Sequence, residues 1–189
     1  MRTSTGCRVL QGSRIGWGVF LLALIVLAGA TALPLSSVRA AAPAEEATLI
    51  IPAIDVEAPI VPMRIAGHGW DIRALDNGQV GHLGLTAWVG EGSNIVLAGH
   101  SETALGARDG VFASLHKLEE GDTIIIQTGG LSRQYSVVSL RYVRYNDVSI
   151  AYPTRTEQLT LFTCALGTYS RQLGDYRLRL VVIAEPVIP

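Results

Sequence analysis

The run Leu159-Thr160-Leu161-Phe162-Thr163-Cys164 is apolar and β-branched over six positions and carries no charge. Such a run reads as a strand buried in a sheet. It ends on a thiol. The only other cysteine, Cys7, lies beyond a hydrophobic segment, so Cys164 has no disulfide partner within its own domain. A lone cysteine is either a small buried core residue or a reactive group, and its surroundings decide between the two.

Working outward, short strands follow one another. Thr48-Leu49-Ile50-Ile51 and Ala58-Pro59-Ile60-Val61-Pro62 are apolar, with prolines at edges or ends. Asn94 to Ala98 is opened by the turn Gly90-Glu91-Gly92-Ser93. Thr123 to Gln127 follows Glu120-Gly121-Asp122, and Gly129-Gly130 links it to Gln134 through Val143 as a hairpin. Leu178 to Ala184 completes the set. One internal stretch, Val111 to Leu118, has helical spacing of Phe112, Leu115 and Leu118. Seven or eight strands with one or two short helices predict an all-β barrel or sandwich. The longest loops are expected at residues 64–78, 101–110, 144–157 and 165–174.

The length of 189 residues suits one domain and an appendage. Residues 15–33 carry no charge, and nineteen helical residues at about 1.5 Å each cross the hydrocarbon core of a bilayer. Arg2, Arg8 and Arg14 precede the segment, and no acidic residue occurs before Glu45. The positive-inside rule then keeps the N-terminus in the cytoplasm and exports the remainder. Val38-Arg39-Ala40 before Ala41 resembles a signal-peptide cleavage site, but the apolar run exceeds an h-region of about 7–15 residues. An uncleaved anchor is therefore favoured. The expected organisation is a cytoplasmic tail over 1–14, a transmembrane signal anchor over 15–35, a linker over 36–47 and a catalytic domain over 48–189 at the outer face of the cell membrane.

Setting aside the first 44 residues, with four of the fifteen basic residues and none of the sixteen acidic ones, leaves a formal net charge of −5. Such a domain, with Lys117 as its one lysine, lacks the footprint that grips phosphate backbones, which excludes nucleic acid as a partner.

A nucleophilic cysteine acts as thiolate and needs a base or cation nearby. Of His68, His82, His100 and His116, His100 is the best placed, since Gly99 precedes it at the end of a buried strand and a loop follows. His116 reads as a surface or packing residue and His68 as a loop residue; His82 is either a satisfied structural histidine or part of a pocket wall. An oxyanion would need a cation or donor. Arg177 and Arg179 share one face of the last strand by alternation, and from periodicity alone both face solvent while Leu178, Leu180 and Val182 fill the core.

Thr160-Leu161-Phe162-Thr163-Cys164 resembles the Thr-Leu-x-Thr-Cys signature of sortases. Ile95 to His100 is similar to their strand-to-histidine motif, with Phe112 to Leu115 and Gly121-Asp122 following as in the family. Arg179 to Ala184 resembles the strand that carries the family's catalytic arginine. His100 precedes Cys164 by 64 residues and Arg179 follows it by 15. The resemblance covers residues 48–186. It implies a closed eight-stranded β-barrel and a membrane-anchored cysteine transpeptidase acting on C-terminal, LPXTG-like sorting signals of secreted proteins. By the same resemblance, Cys164 is the nucleophile, His100 the general acid and base, and Arg179 the group that holds the substrate backbone and oxyanion. The acceptor is an amine of a cell-wall precursor or of another protein. The 144–157 loop corresponds to the family's groove-shaping segment, with Val148, Ile150, Tyr152 and Pro153 as apolar contacts, and Thr163 as a further candidate beside the thiol.

No Asp-Pro-aromatic lid motif precedes the barrel, which tilts the expectation towards an anchoring rather than a pilus-building type. Asp71, Asp76, Glu91, Asp109, Glu119, Glu120 and Asp122 are scattered, so no metal site or cofactor is expected. A zinc site would need clustered Cys and His. Papain-like enzymes place Cys before His, the reverse of the order here, and the peptidoglycan cross-linking Ser-His-Gly-Cys motif is absent around Cys164. The non-enzymatic alternative is an anchored β-domain that binds sorting signals or partners without turnover.

Overall fold

The computed structural model describes residues 46–66, 69–76, 78–102 and 109–188. The expected tail, anchor and most of the linker (1–45), with Cys7, lie outside the described residues, as does His68. Among the described residues no helix is long and apolar enough to cross a membrane.

Eight strands close into a barrel: β1 (Ala47–Ile51), β2 (Val56–Met63), β3 (Val80–Leu83), β4 (Asn94–Ala98), β5 (Thr123–Thr128), β6 (Leu131–Arg144), β7 (Gln158–Cys164) and β8 (Leu178–Pro186). Around the barrel the order is β1-β2-β3-β4-β7-β8-β6-β5, with β5 pairing back onto β1. Two pairs are parallel, β2 with β3 and β4 with β7; the others are antiparallel. Closure leaves no long unpaired edge.

The interior is filled by alternate residues, among them Leu49, Ile95, Leu97, Ile124, Ile126, Leu159, Leu161 and Val182. Each such side chain, fully buried, contributes about 1.5–3 kcal/mol. A second apolar cluster lies on the outer face: Met63, Leu83, Val96, Ala98, Phe162 and Val181 pack beneath Leu75 and Ile150 from the long 64–79 and 145–157 connections. Both faces of β4 and β7 are therefore covered. That is why these strands read as continuous apolar runs rather than alternating ones, as expected of a buried parallel pair.

The hairpin over Gly129-Gly130 forms as the sequence predicts, with Thr128 opposite Leu131 and both glycines at positive φ. The short helical stretch expected within Val111–Leu118 is a single 3-10 turn, Leu115–Lys117, with Phe112 and Leu115 buried in the barrel core. One element departs from expectation. Val80–Leu83 forms a barrel strand that four residues containing Gly81 and His82 scarcely signal. Other 3-10 turns lie at Pro52–Ile54, Ile72–Ala74 and Val148–Ala151.

Candidate active site

β7 runs between β4 on one side and β8 on the other, and the three candidate residues lie at the same end of this trio. Cys164 closes β7 directly opposite Arg179 on antiparallel β8. Paired residues of this kind have Cβ atoms about 4.5–5.5 Å apart on one face of the sheet. On the other side Ala98 of β4 is level with Phe162, and the amide of Gly99 donates to the Phe162 carbonyl at 3.3 Å. Two residues on from this pair come His100 and Cys164. Alternation puts both on the outer face, as Ala98 and Phe162 are. The His100 Nε2 lies 3.3 Å from the carbonyl of Leu75, a residue of the same outer cluster.

Glycine makes this corner possible. A Cβ on Gly99 would sit 2.6 Å from Val111 Cγ1 and 2.7 Å from Phe112 Cδ2, and one on Gly110 would collide with the carbonyl of His100. The same carbonyl accepts from the Phe112 amide at 2.8 Å. This close packing against Val111 and Phe112 fixes the backbone that carries the imidazole.

Arg177 and Arg179 do not share a strand as alternation predicts: Arg179 lies in β8, whereas Arg177 falls in the bend just before it. Arg177 is exposed, whereas only 12% of the Arg179 side chain remains accessible. The Arg179 guanidinium donates through Nη2 to Asp175 Oδ2 at 2.8 Å and through Nη1 to the Tyr176 carbonyl at 3.0 Å. These bonds aim a stiff, always-charged fork along the sheet face. Burial pushes the Cys164 thiol up; the Arg179 charge opposes this, while Asp175 and Glu102 add to it. A half-buried thiol facing one cation and two carboxylates is held mostly protonated until a proton acceptor or a rearranged cation favours the thiolate.

The other histidines separate clearly. His82 Nε2 lies 2.8 Å from the Ala87 carbonyl, and its ring packs edge-on against Trp88. Burial lowers its pKa, so it is a satisfied structural histidine. His116 is exposed, with Nδ1 at 3.1 Å from the Ala113 carbonyl, yet it lines a recess of about 210 Å³ that also touches Cys164. Its place near the thiol has no counterpart in the local sequence, because the turn that carries it is remote from β7 in the chain.

The predicted substrate contacts divide. Ile150 is buried in the outer cluster, while Val148, Tyr152 and Pro153 are exposed around it. All four belong to the 145–157 connection, which packs over Val96, Ala98 and Phe162 through Ile150. Thr163 lines the same recess as Cys164, and its hydroxyl donates to the Gly99 carbonyl at 2.8 Å, tying the ends of β4 and β7 together.

Sequence reasoning missed Asn94. Its buried amide Nδ2 donates to the carbonyls of Ile150 at 2.9 Å and Tyr152 at 3.0 Å, and its Oδ1 accepts from Thr160 at 2.7 Å. Ser93 adds a reciprocal pair, donating to the Thr154 carbonyl and accepting from the Thr154 amide, both at 3.1 Å. The polar residue opening an apolar strand was the available signal.

A family model, that of the sortase domain, matches residues 49–187. Over 140 residues the chain is 34% identical to sortase D of Bacillus subtilis, a span covering 74% of this chain and 62% of that protein. It is 29% identical over 96 residues to sortase A of Staphylococcus aureus, covering 50% and 45% respectively. The chain thus spans less than two thirds of the length of either relative. The fold is similar to that of a lid mutant of sortase A from Corynebacterium diphtheriae, with a TM-score of 0.60 and 28% identity over 76% of this chain and 70% of that one.

Proposed function

The chain belongs to the sortase family, and from that membership we propose that it is a cysteine transpeptidase with Cys164 as nucleophile, His100 as general acid and base, and Arg179 as the oxyanion and backbone clamp. The observation that carries this reading is the register of Cys164 opposite Arg179, with the His100 end of β4 level on the other side. Nucleophile and cation then sit opposite each other on adjacent strands, with the proton carrier at the same end of the sheet.

In the first half-reaction the Cys164 thiolate attacks the carbonyl carbon of the Thr–Gly bond of an LPXTG-like sorting signal. The Arg179 guanidinium stabilises the oxyanion. The C–N bond breaks and the departing amine takes the proton of the His100 imidazolium, leaving a thioacyl enzyme. An acceptor amine then attacks the thioester carbon, its surplus proton passes to His100, and the thiolate leaves. The substrates are secreted proteins with C-terminal sorting signals, and the acceptor is an amine of a cell-wall precursor or of another protein. The exposure of Val148, Tyr152 and Pro153 around the buried Ile150 supports an apolar contact with the sorting motif. The uncharged run at 15–35, preceded by arginines alone, supports a single-pass anchor with the barrel outside the cell.

Incubating the protein with an LPXTG-like peptide and an amine tests the reading. Mass spectrometry is expected to show a thioacyl adduct, and chromatography the transpeptidated product. Both are expected to vanish in Cys164→Ala. Peptide binding without adduct in the unaltered protein would leave only the non-catalytic binding module.

A further inference from the structure

Beyond the thiol, a second recess of about 380 Å³ opens along the same two strands. Tyr142 of β6 and Leu180 of β8 are paired and line the first recess with Cys164, and two residues on the paired Arg144 and Leu178 line the second. Two strand residues span about 7 Å, so the recesses are neighbours on one face. The second is completed by Arg177, Tyr145, Gln172 and Leu173.

Its charge is out of keeping with the domain, whose net formal charge is −5. Neither Arg144 nor Arg177 forms an ion pair with any described residue; the two ion pairs there are Arg133 with Glu157 and Arg179 with Asp175. The nearby acids are already engaged, Asp175 by Arg179 and Asp147 by the amide and hydroxyl of Ser149. Two unpaired guanidinium groups therefore flank one concavity next to the reaction centre, where a carboxylate or phosphate would meet forked donors. On the thiol side, the first recess is lined by Ser101, whose buried hydroxyl has no partner among the described residues.

We propose that the Arg144–Arg177 recess is the acceptor's anion subsite: the amine enters the Cys164 recess while a carboxylate or phosphate of the same acceptor, about 7 Å or more away, is held by the two arginines. This rests on the transpeptidase reading and names its acceptor class, an amine that also bears an anionic group. The amine nitrogen bonds to the thioester carbon, the C–S bond breaks to return the thiolate, and the amine's proton goes to His100. The arginines take no part in bond making.

The test is acceptor competition with the full-length chain and an LPXTG-like peptide. Triglycine and 3-aminopropyl phosphate carry the anion; triglycinamide lacks it. Transfer to both anionic acceptors is expected to exceed transfer to the amide by about fivefold. The advantage should disappear in Arg177→Gln and Arg144→Gln, and in about 0.5 M NaCl, with the rate of thioacyl formation unchanged. Favouring only one anionic acceptor would identify its group as the one held. Equal use of all three acceptors by the unaltered protein, or an advantage that survives both substitutions, overturns the subsite. Loss of anionic-vesicle binding in the variants with acceptor preference intact would reassign the arginines to a membrane surface and equally overturn it. Absence of any thioacyl adduct would instead refute the transpeptidase reading. In that event pyrophosphate titration of the Cys164→Ala chain, followed through arginine Nε–H resonances, decides the subsite: shifts at Arg144 and Arg177 sustain anion binding, and none rejects it.

Discussion

Two arginines two residues apart in the chain illustrate what a single side chain's surroundings decide. Arg179 is held by Asp175 and the Tyr176 carbonyl opposite the thiol, whereas Arg177 has no such partners and projects into the neighbouring recess. Removing an oxyanion donor costs about 10²–10³ in rate. Arg179→Ala is therefore expected to slow thioacyl formation by that order, and Arg177→Ala by no more than about twofold on the same scale. Equal losses, measured as single-turnover acylation, would contradict the strand register as the source of function. Asp175 acts on the thiol twice, directly through its charge and indirectly by engaging the guanidinium. Its carboxylate raises the thiol pKa and the Arg179 charge lowers it. Asp175→Asn should then shift the pH dependence of iodoacetamide alkylation at Cys164 to lower pH, and Arg179→Ala to higher pH. Shifts in the same direction for both variants would refute this electrostatic account.

At the scale of an element, the segment that carries the expected sorting-motif contacts is a 3-10 turn, Val148–Ala151, too short to hold itself. Asp147 caps it through the Ser149 amide at 3.0 Å, and Asn94, oriented by Thr160, draws its carbonyls onto the barrel. Asn94→Ala would leave the Ile150 and Tyr152 carbonyls short of a donor, at about 1–3 kcal/mol. The expected outcome is a rise of about tenfold in KM for the sorting peptide, with kcat reduced far less. An unchanged KM in steady-state kinetics would show that the turn needs no such tether. Thr160 belongs to the motif that signals the family, and here its hydroxyl works through Asn94. The strand-to-histidine corner is likewise built by Gly99 and Gly110, which let Phe112 close against the His100 backbone.

Across the whole molecule, the end of the barrel away from the thiol is tied by one buried carboxylate. Glu157 accepts from Tyr135 Oη at 2.9 Å, Arg133 Nε at 3.0 Å and the Gly90 amide at 3.1 Å. It joins β6, the turn before β4 and the last residue of the 145–157 connection. Burial, followed by the hydrogen bond to Glu157, drives the Tyr135 phenol far above its ordinary value. The folded state therefore favours the neutral phenol. Its contribution to stability is complete below the unfolded phenol's pKa of about 10 and is lost as pH rises beyond it. Thermal melts should fall steeply above about pH 10, and Tyr135→Phe should flatten that slope while costing about 1 kcal/mol at neutral pH. Parallel alkaline slopes for the two proteins would dismiss this coupling.

By itself the sequence determined the strands that are buried on both faces and the glycine hairpin, and it singled out Cys164, His100 and Arg179 as candidates, because hydrophobic periodicity and motif chemistry are local properties of the chain. Val80–Leu83 escaped notice as a strand because its pairing with β2 and β4, not its own four residues, makes it one. The difference between Arg177 and Arg179, the bond from Thr163 to Gly99, the tether at Asn94 and the adjoining arginine recess were decided only by tertiary structure. Each depends on which groups from distant segments close around a side chain, and alternation along a strand specifies a face but not its neighbours.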